Sequence, residues 1–224
     1  MTAAVSIVAG PARTGSLVAT VFVAALSLAA VFAPASEALA TENQASKSKE
    51  PATTSQFSAG FKRVRQQRLD KLFAELKSAP NAKAGRLVVA KIWEMWMTSG
   101  NVNIDALLRQ AQIALQEGGV QEAYLALNRV IEIAPDFSEG WNRRATLHYM
   151  TGRYAESVGD IQKTLALEPR HFGALAGLGM IYMAEKRWSA ALKAFETAAD
   201  VNPWLQNRDA ILKTLREKAN GKPL

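Results

Sequence analysis

The 224-residue chain contains no cysteine and only two histidines, His148 and His171. The lack of Cys excludes disulfides, thiolate metal sites and a Cys nucleophile. Neither His has a Cys, Asp or Glu at metal-ligand spacing, so no metal centre and no cofactor are expected. Gly118-Gly119 and Gly177-Leu178-Gly179 follow no strand and lead into no Gly-Lys-Ser/Thr, which excludes a phosphate loop. Acidic pairs such as Glu132 with Asp136 read as solvated helix ends rather than acid/base partners. No catalytic constellation is left, and the chain is not expected to be an enzyme. Long apolar runs are scarce as well: residues 17–33 form one, and no other segment reaches the length that spans a bilayer.

That run has the order of a secretory signal. Arg13 is the only charge before it, and Ala38-Leu39-Ala40 forms a small-x-small cleavage site ahead of Thr41. Residues 1–40 are therefore expected to be an export signal, with an uncleaved membrane anchor as the alternative, and the mature protein is expected in a bacterial periplasm. The net charge of +7 is uneven. Residues 41–100 carry eleven Lys/Arg against five Asp/Glu, residues 101–203 ten against twelve, and the tail from 204 five against two. Basic ends on an exported protein point to anionic lipid, wall polymer or acidic proteins. Nucleic acid is not an expected partner.

The dominant feature is internal repetition. Pro135, Pro169 and Pro203 recur at intervals of 34 residues, each closing an apolar helix, a short break and a second apolar helix. A fixed period of this size marks a stacked helical array. In the third unit Leu175, Leu178, Gly179 and Tyr182 share one stripe, and Ala191, Phe195 and Ala198 another, at the three-to-four spacing of a helical face. The second unit repeats the scheme with Trp141, Ala145, Gly152, Tyr154, Ile161 and Thr164. The first uses Leu107, Ala111, Gly118, Ala123, Leu127 and Val130.

At these residues the chain resembles the tetratricopeptide repeat family, whose pattern is a Trp or Leu, a Leu-Gly pair, a Tyr, two Ala, a Phe and a closing Pro. Arg144, His148 and Ala114 depart from it, and His148 reads as a packing residue. The resemblance implies an all-α fold: a right-handed superhelical array of antiparallel helix hairpins, with capping helices. The units are 104–137, 138–171 and 172–203. Residues 41–60 read as a disordered tether. Residues 61–79 and 82–98 read as two helices of a divergent N-terminal hairpin or cap on the same register, with Phe73, Leu76, Val89, Trp93 and Trp96 in packing slots. A capping helix is expected over 204–219, with Leu205, Ile211, Leu212 and Leu215 on the last repeat.

The resemblance also implies function: a concave groove, lined by the first helix of each hairpin, that binds another protein as a peptide or helix. Off the packing stripes lie Arg109 and Gln112, then Asn142, Arg143, Thr146 and Tyr149, then Met180 and Met183. The groove is thus expected to run from a polar end to an apolar, shallow one beside Gly173, Ala176 and Gly177. Met180 and Met183 have an alternative role in packing against the C-terminal helix, and His171, in an inter-repeat turn, is placed to line the groove. Family members that hold chaperone tails use a Lys, Asn and Arg clamp. The matching positions here are Leu108, Gln112, Arg143, Gly173 and Gly177, so that mode is not carried over. By resemblance, an adaptor in cell-envelope assembly or integrity is the first reading. The second is a peripheral membrane or wall binder acting through Lys62, Arg63, Arg65, Arg68 and Lys71.

Overall fold

The structure is a computed structural model that describes residues 59–221. The export segment and all but the last two residues of the tether lie outside the described residues. Among those described, nine helices and no strands occur: α1 Ala59–Lys77, α2 Ala82–Met97, α3 Val102–Gln116, α4 Val120–Ile133, α5 Ser138–Met150, α6 Tyr154–Leu167, α7 Phe172–Ala184, α8 Trp188–Val201 and α9 Arg208–Ala219. None of them is long and apolar enough to cross a membrane.

Helices α3 to α8 form the three expected hairpins. Each turns at equivalent residues in the left-handed region, Gly118 (φ 82°), Gly152 (φ 74°) and Lys186 (φ 58°). Glycine adopts that conformation freely, whereas the Lys side chain makes it unfavourable in the third hairpin. The hairpins close on small-against-large contacts. A Cβ on Gly179 would stand 2.6 Å from Cδ2 of Phe195, so only Gly admits that ring. Ala191 and Ala198 are both fully buried opposite. Successive hairpins share cores. Ile104, Leu108, Leu127 and Val130 pack with Phe137 at the junction and Leu147 of the next unit, and Ala145 and Ile161 pack with Ala174 and Ile181 of the third. Leu147 and Ile181 are one period apart and seal equivalent joints.

The N-terminal hairpin departs from the expected stack. Its apolar stripe is buried as the periodicity predicts, through Leu69, Phe73, Leu76, Val88, Ile92 and Trp96, but these pack with Phe172, Val201, Trp204 and Leu205. Instead of stacking on α3 as α4 stacks on α5, α1–α2 folds back along the edge where the inter-repeat turns lie. Trp204 Nε1 donates to the Leu76 carbonyl at 3.1 Å, and Arg170 Nη1 donates to Asp70 Oδ1 at 2.8 Å across a hundred residues of sequence. The Arg170 guanidinium also stands 4.4 Å from the Phe73 ring centroid. The end of the array at α3 stays open. Asn103, Ala106, Gln110 and Ile113 are exposed there, although their equivalents one period on include the buried Phe137, Gly140 and Leu147. That face is mostly polar or small, which suits an end left in water.

The last helix is also shorter than expected. It begins at Arg208 rather than at 204, because Asn207 is left-handed (φ 56°) and breaks the run. Trp204 and Leu205 are thereby freed from α9 and directed at the N-terminal hairpin. Leu212 and Leu215 are buried as expected, with α9 packed on α8.

Candidate protein-binding groove

The residues expected in the groove fall into two groups. On α3 and α5, Arg109 is exposed and Gln112, Thr146 and Tyr149 are half-buried; on α7, Met183 is half-buried. Gln112 with Thr146, and Tyr149 with Met183, occupy equivalent positions one period apart, so these residues follow one face of the array. Tyr149 lies against Tyr154 with ring centroids 5.7 Å apart, and burial pushes its hydroxyl above the ordinary tyrosine range. Met150, one residue further, is 59 % exposed. This half of the groove faces solvent.

The other half is filled by the chain itself. Gly173 lies under Trp93 of α2: a Cβ there would stand 2.6 Å from Cη2 of that indole. Trp93 makes edge contacts with Trp96, His171 and Phe172, and Trp96 stacks on His171 with centroids 4.0 Å apart. Gly173 of α7, expected beside a shallow apolar end of the groove, instead leaves room for the Trp93 ring. Met180 is 2 % exposed and Ala176 and Gly177 are buried, so Met180 is no groove-lining contact. The burial agrees with a packing role for Met180.

Asn142 and Arg143 are half-buried and engaged within the chain. Both were expected to read a partner, but they bind Glu139 within their own helix: Asn142 Nδ2 to Oε2 at 3.0 Å and Arg143 Nε to Oε1 at 3.0 Å. Glu139, off the packing stripe in sequence, is 2 % exposed. Its third partner is His171 Nε2 at 3.2 Å, while His171 Nδ1 accepts the Ala174 backbone N–H at 3.1 Å. A ring nitrogen that accepts from an amide carries no proton, so the His171 proton lies on Nε2 and is donated to Glu139. His171 thus caps α7 and is fully buried, where it had been placed to line the groove. Burial alone would push the Glu139 carboxyl up. The hydrogen bond from His171, the charge of Arg143 and the amide of Asn142 outweigh it and hold the group below the usual carboxylate range.

Arg65 belongs to the same joint. It donates to the carbonyls of Thr98 (2.9 Å) and Trp96 (3.3 Å) and lies 5.6 Å from the Phe137 centroid. Burial lowers its pKa, opposed by the charges of Glu139, Glu168 and Asp105. It therefore leaves the solvated basic face on which the sequence placed it.

A second polar cluster lies inside the middle repeat. Arg144, a departure from the repeat pattern, grips Asp160 through Nε and Nη2 at 2.8 Å each and reaches Asn128 at 2.8 Å. His148 is buried beside it, 3.5 Å from Asp160, and burial lowers its pKa, against the pull of that carboxylate. These groups tie α5 to α4 and α6. Nothing in the sequence except the out-of-pattern residue types signalled them. Among the described residues no group of His, Cys, Asp and Glu is arranged to hold a metal ion.

No family model matches the chain. A tetratricopeptide repeat-containing protein of Rhizobium etli is 36 % identical over 155 residues, covering 69 % of this chain and 76 % of the relative. The chain belongs to the tetratricopeptide repeat family. Other tetratricopeptide relatives match over shorter stretches. The SGT1 homolog of Bos taurus is 32 % identical over 115 residues, which cover 51 % of this chain and 34 % of that protein. Solved tetratricopeptide structures share the fold. The first such domain of Spaghetti, bound to an HSP90 peptide, has a TM-score of 0.50 at 16 % identity, covering 53 % of this chain and 94 % of that one. The Sgt2 domain from Aspergillus fumigatus has a TM-score of 0.50 at 18 % identity, covering 55 % and 87 %.

Proposed function

We propose that this tetratricopeptide repeat protein is a non-catalytic interaction scaffold. A peptide or helical segment of another protein occupies the half of the groove that α2 leaves open, against Arg109, Gln112, Thr146, Tyr149 and Met183. The observation that carries this reading is the division of the groove. The ionisable groups near α7 are buried and consumed by one another, whereas the α3–α5 half presents polar and aromatic side chains to solvent. Spaghetti, of the same fold, holds a peptide. The clamp positions do not support a terminal-carboxylate mode here, since Gly173 lies under Trp93 and Arg143 is bound to Glu139. The occupant that suits the open half is an internal segment with an apolar residue for Tyr149 and Met183 and an acidic residue for Arg109.

The chain acts outside the cytoplasm in this proposal, as an adaptor in envelope assembly or integrity, with the mature form beginning at Thr41. N-terminal sequencing of the exported protein tests the start; a form that keeps Met1 replaces cleavage with anchoring. The groove is tested by capture from an envelope extract with the full chain as bait. Gln112→Ala with Tyr149→Ala is expected to lose a partner that the wild type retains, by about tenfold or more, or 1.4 kcal/mol. Retention of that partner by a folded double variant removes the groove from the account.

A further inference from the structure

We propose that the outward face of the α1–α2 hairpin is a docking surface for a membrane that carries anionic lipid. Because α1–α2 turns its apolar stripe onto the array, its opposite faces are left to solvent. On them stand Arg63, Arg68 and Lys71 of α1 and Lys83, Arg86 and Lys91 of α2. All six are exposed, and no ion pair joins any of them to another described residue. Of the acidic residues on these helices, Asp70 is held by Arg170, which leaves Glu75 and Glu94. The face is thus strongly cationic, while the repeats behind it carry a slight acidic excess. A field of that polarity turns the hairpin towards an anionic surface.

Shape and apolar content favour lipid over an acidic peptide. Two helices side by side form a broad ridge about 25 Å long rather than a cleft. A ridge meets a planar array of charges along its whole length, whereas a short peptide engages few of its cations. Leu87 is 61 % exposed and Val64 46 % exposed on these outward faces. Leu87 has Lys83 one turn before it, Lys91 one turn after it and Arg86 beside it, which places an apolar side chain at lipid depth when the cations reach the headgroups. The surface is not the one the sequence implied. Arg65 is withdrawn into the joint with the array, and three cations of α2 are added. This surface is independent of the groove.

Vesicle flotation tests the proposal on the full chain, comparing phosphatidylcholine vesicles with an equal mixture of phosphatidylcholine and phosphatidylglycerol. The apolar run at 17–33 is present with both vesicle types, so the readout is the gain caused by phosphatidylglycerol. Each cation near such a surface contributes about a fivefold gain in partitioning. Reversal of Lys83, Arg86 and Lys91 to Glu, at exposed positions, is expected to cut the gain by at least about a hundredfold, the loss of the three cations alone. Leu87→Asn is expected to weaken it with no change in its salt dependence. Reversal of Lys163 and Lys193 on the array serves as control and leaves it intact. Absence of a phosphatidylglycerol gain in the wild type overturns the proposal, as does an equal gain in the α2 triple variant. Retention by immobilised polyglutamate without a vesicle gain also overturns it, in favour of an acidic protein.

Discussion

Replacing Gly85 with Ala has an effect whose sign depends on where the N-terminal hairpin lies. In an exposed helix interior, Gly to Ala stabilises by about 1 kcal/mol, because Ala gives up less backbone entropy. Gly85, however, is buried against the indole of Trp204, and a Cβ there would overlap the five-membered ring. Trp204 cannot simply swing away, since its Nε1 donates to Leu76 O at 3.1 Å and its backbone N–H donates to Asn202 Oδ1 at 3.0 Å. Overpacking costs about 1–3 kcal/mol, and losing the indole hydrogen bond about 1 more. After subtraction of the helix-propensity gain, the net is a destabilisation of about 1–3 kcal/mol. Thermal and urea melts followed by far-UV circular dichroism measure it, and the melting temperature is expected to fall by about 2–12 °C. Introduced on a Trp204→Leu background, the same change is expected to cost little or to stabilise. An increase in stability when Gly85→Ala is made in the wild type would refute the docked hairpin.

Three further outcomes follow from the packing. The Glu139 carboxylate is held below its ordinary pKa, so its contribution is complete above about pH 4.3 and is lost as pH falls through the folded value. Acid titration of stability is expected to show that loss in the wild type, and Glu139→Gln is expected to flatten it. Ala198 is fully buried and Ala184 exposed, so Ala198→Leu is expected to cost about 1–3 kcal/mol and Ala184→Leu close to nothing in the same melts. Lys186 takes the left-handed position that Gly118 and Gly152 take in the other hairpins, and Lys186→Gly is expected to raise stability by up to about 1 kcal/mol.

The repeats were legible because the period, the small residues and the closing prolines all express one local geometry. Gly179, Ala191, Phe195 and Ala198 pack where the spacing placed them. What was not legible is which surface each stripe meets. Periodicity showed that Trp96 and Ile92 are buried, but a stripe says nothing about its partner, and the hairpin was assigned to the next position in the stack. A signal was present all the same: α7 carries Gly173, Ala176 and Gly177 where the other first helices carry larger side chains, and α2 carries two Trp on its stripe. Room on one helix and excess volume on another are complementary. Trp204 was read into α9 because a left-handed Asn207 has no periodic signature. The Glu139 cluster was not legible either, because His171 reaches it from 32 residues away and residue spacing along one helix carries no sign of such a contact.

The absence of native cysteine permits a direct test of the docked hairpin. Asp70 and Arg170 are 100 residues apart in sequence and paired at 2.8 Å. In the full chain carrying Asp70→Cys and Arg170→Cys, a short bis-maleimide, whose span replaces the length of the Arg side chain, is expected to close an intramolecular link, seen as a faster band on a denaturing gel. Glu196→Cys with Arg216→Cys, paired at 2.9 Å between α8 and α9, provides a positive control. Efficient closure of both pairs in the monomer is the predicted result. Closure of the control alone, in a chain with native helical content, would place α1–α2 elsewhere and return the α7 half of the groove to an incoming partner.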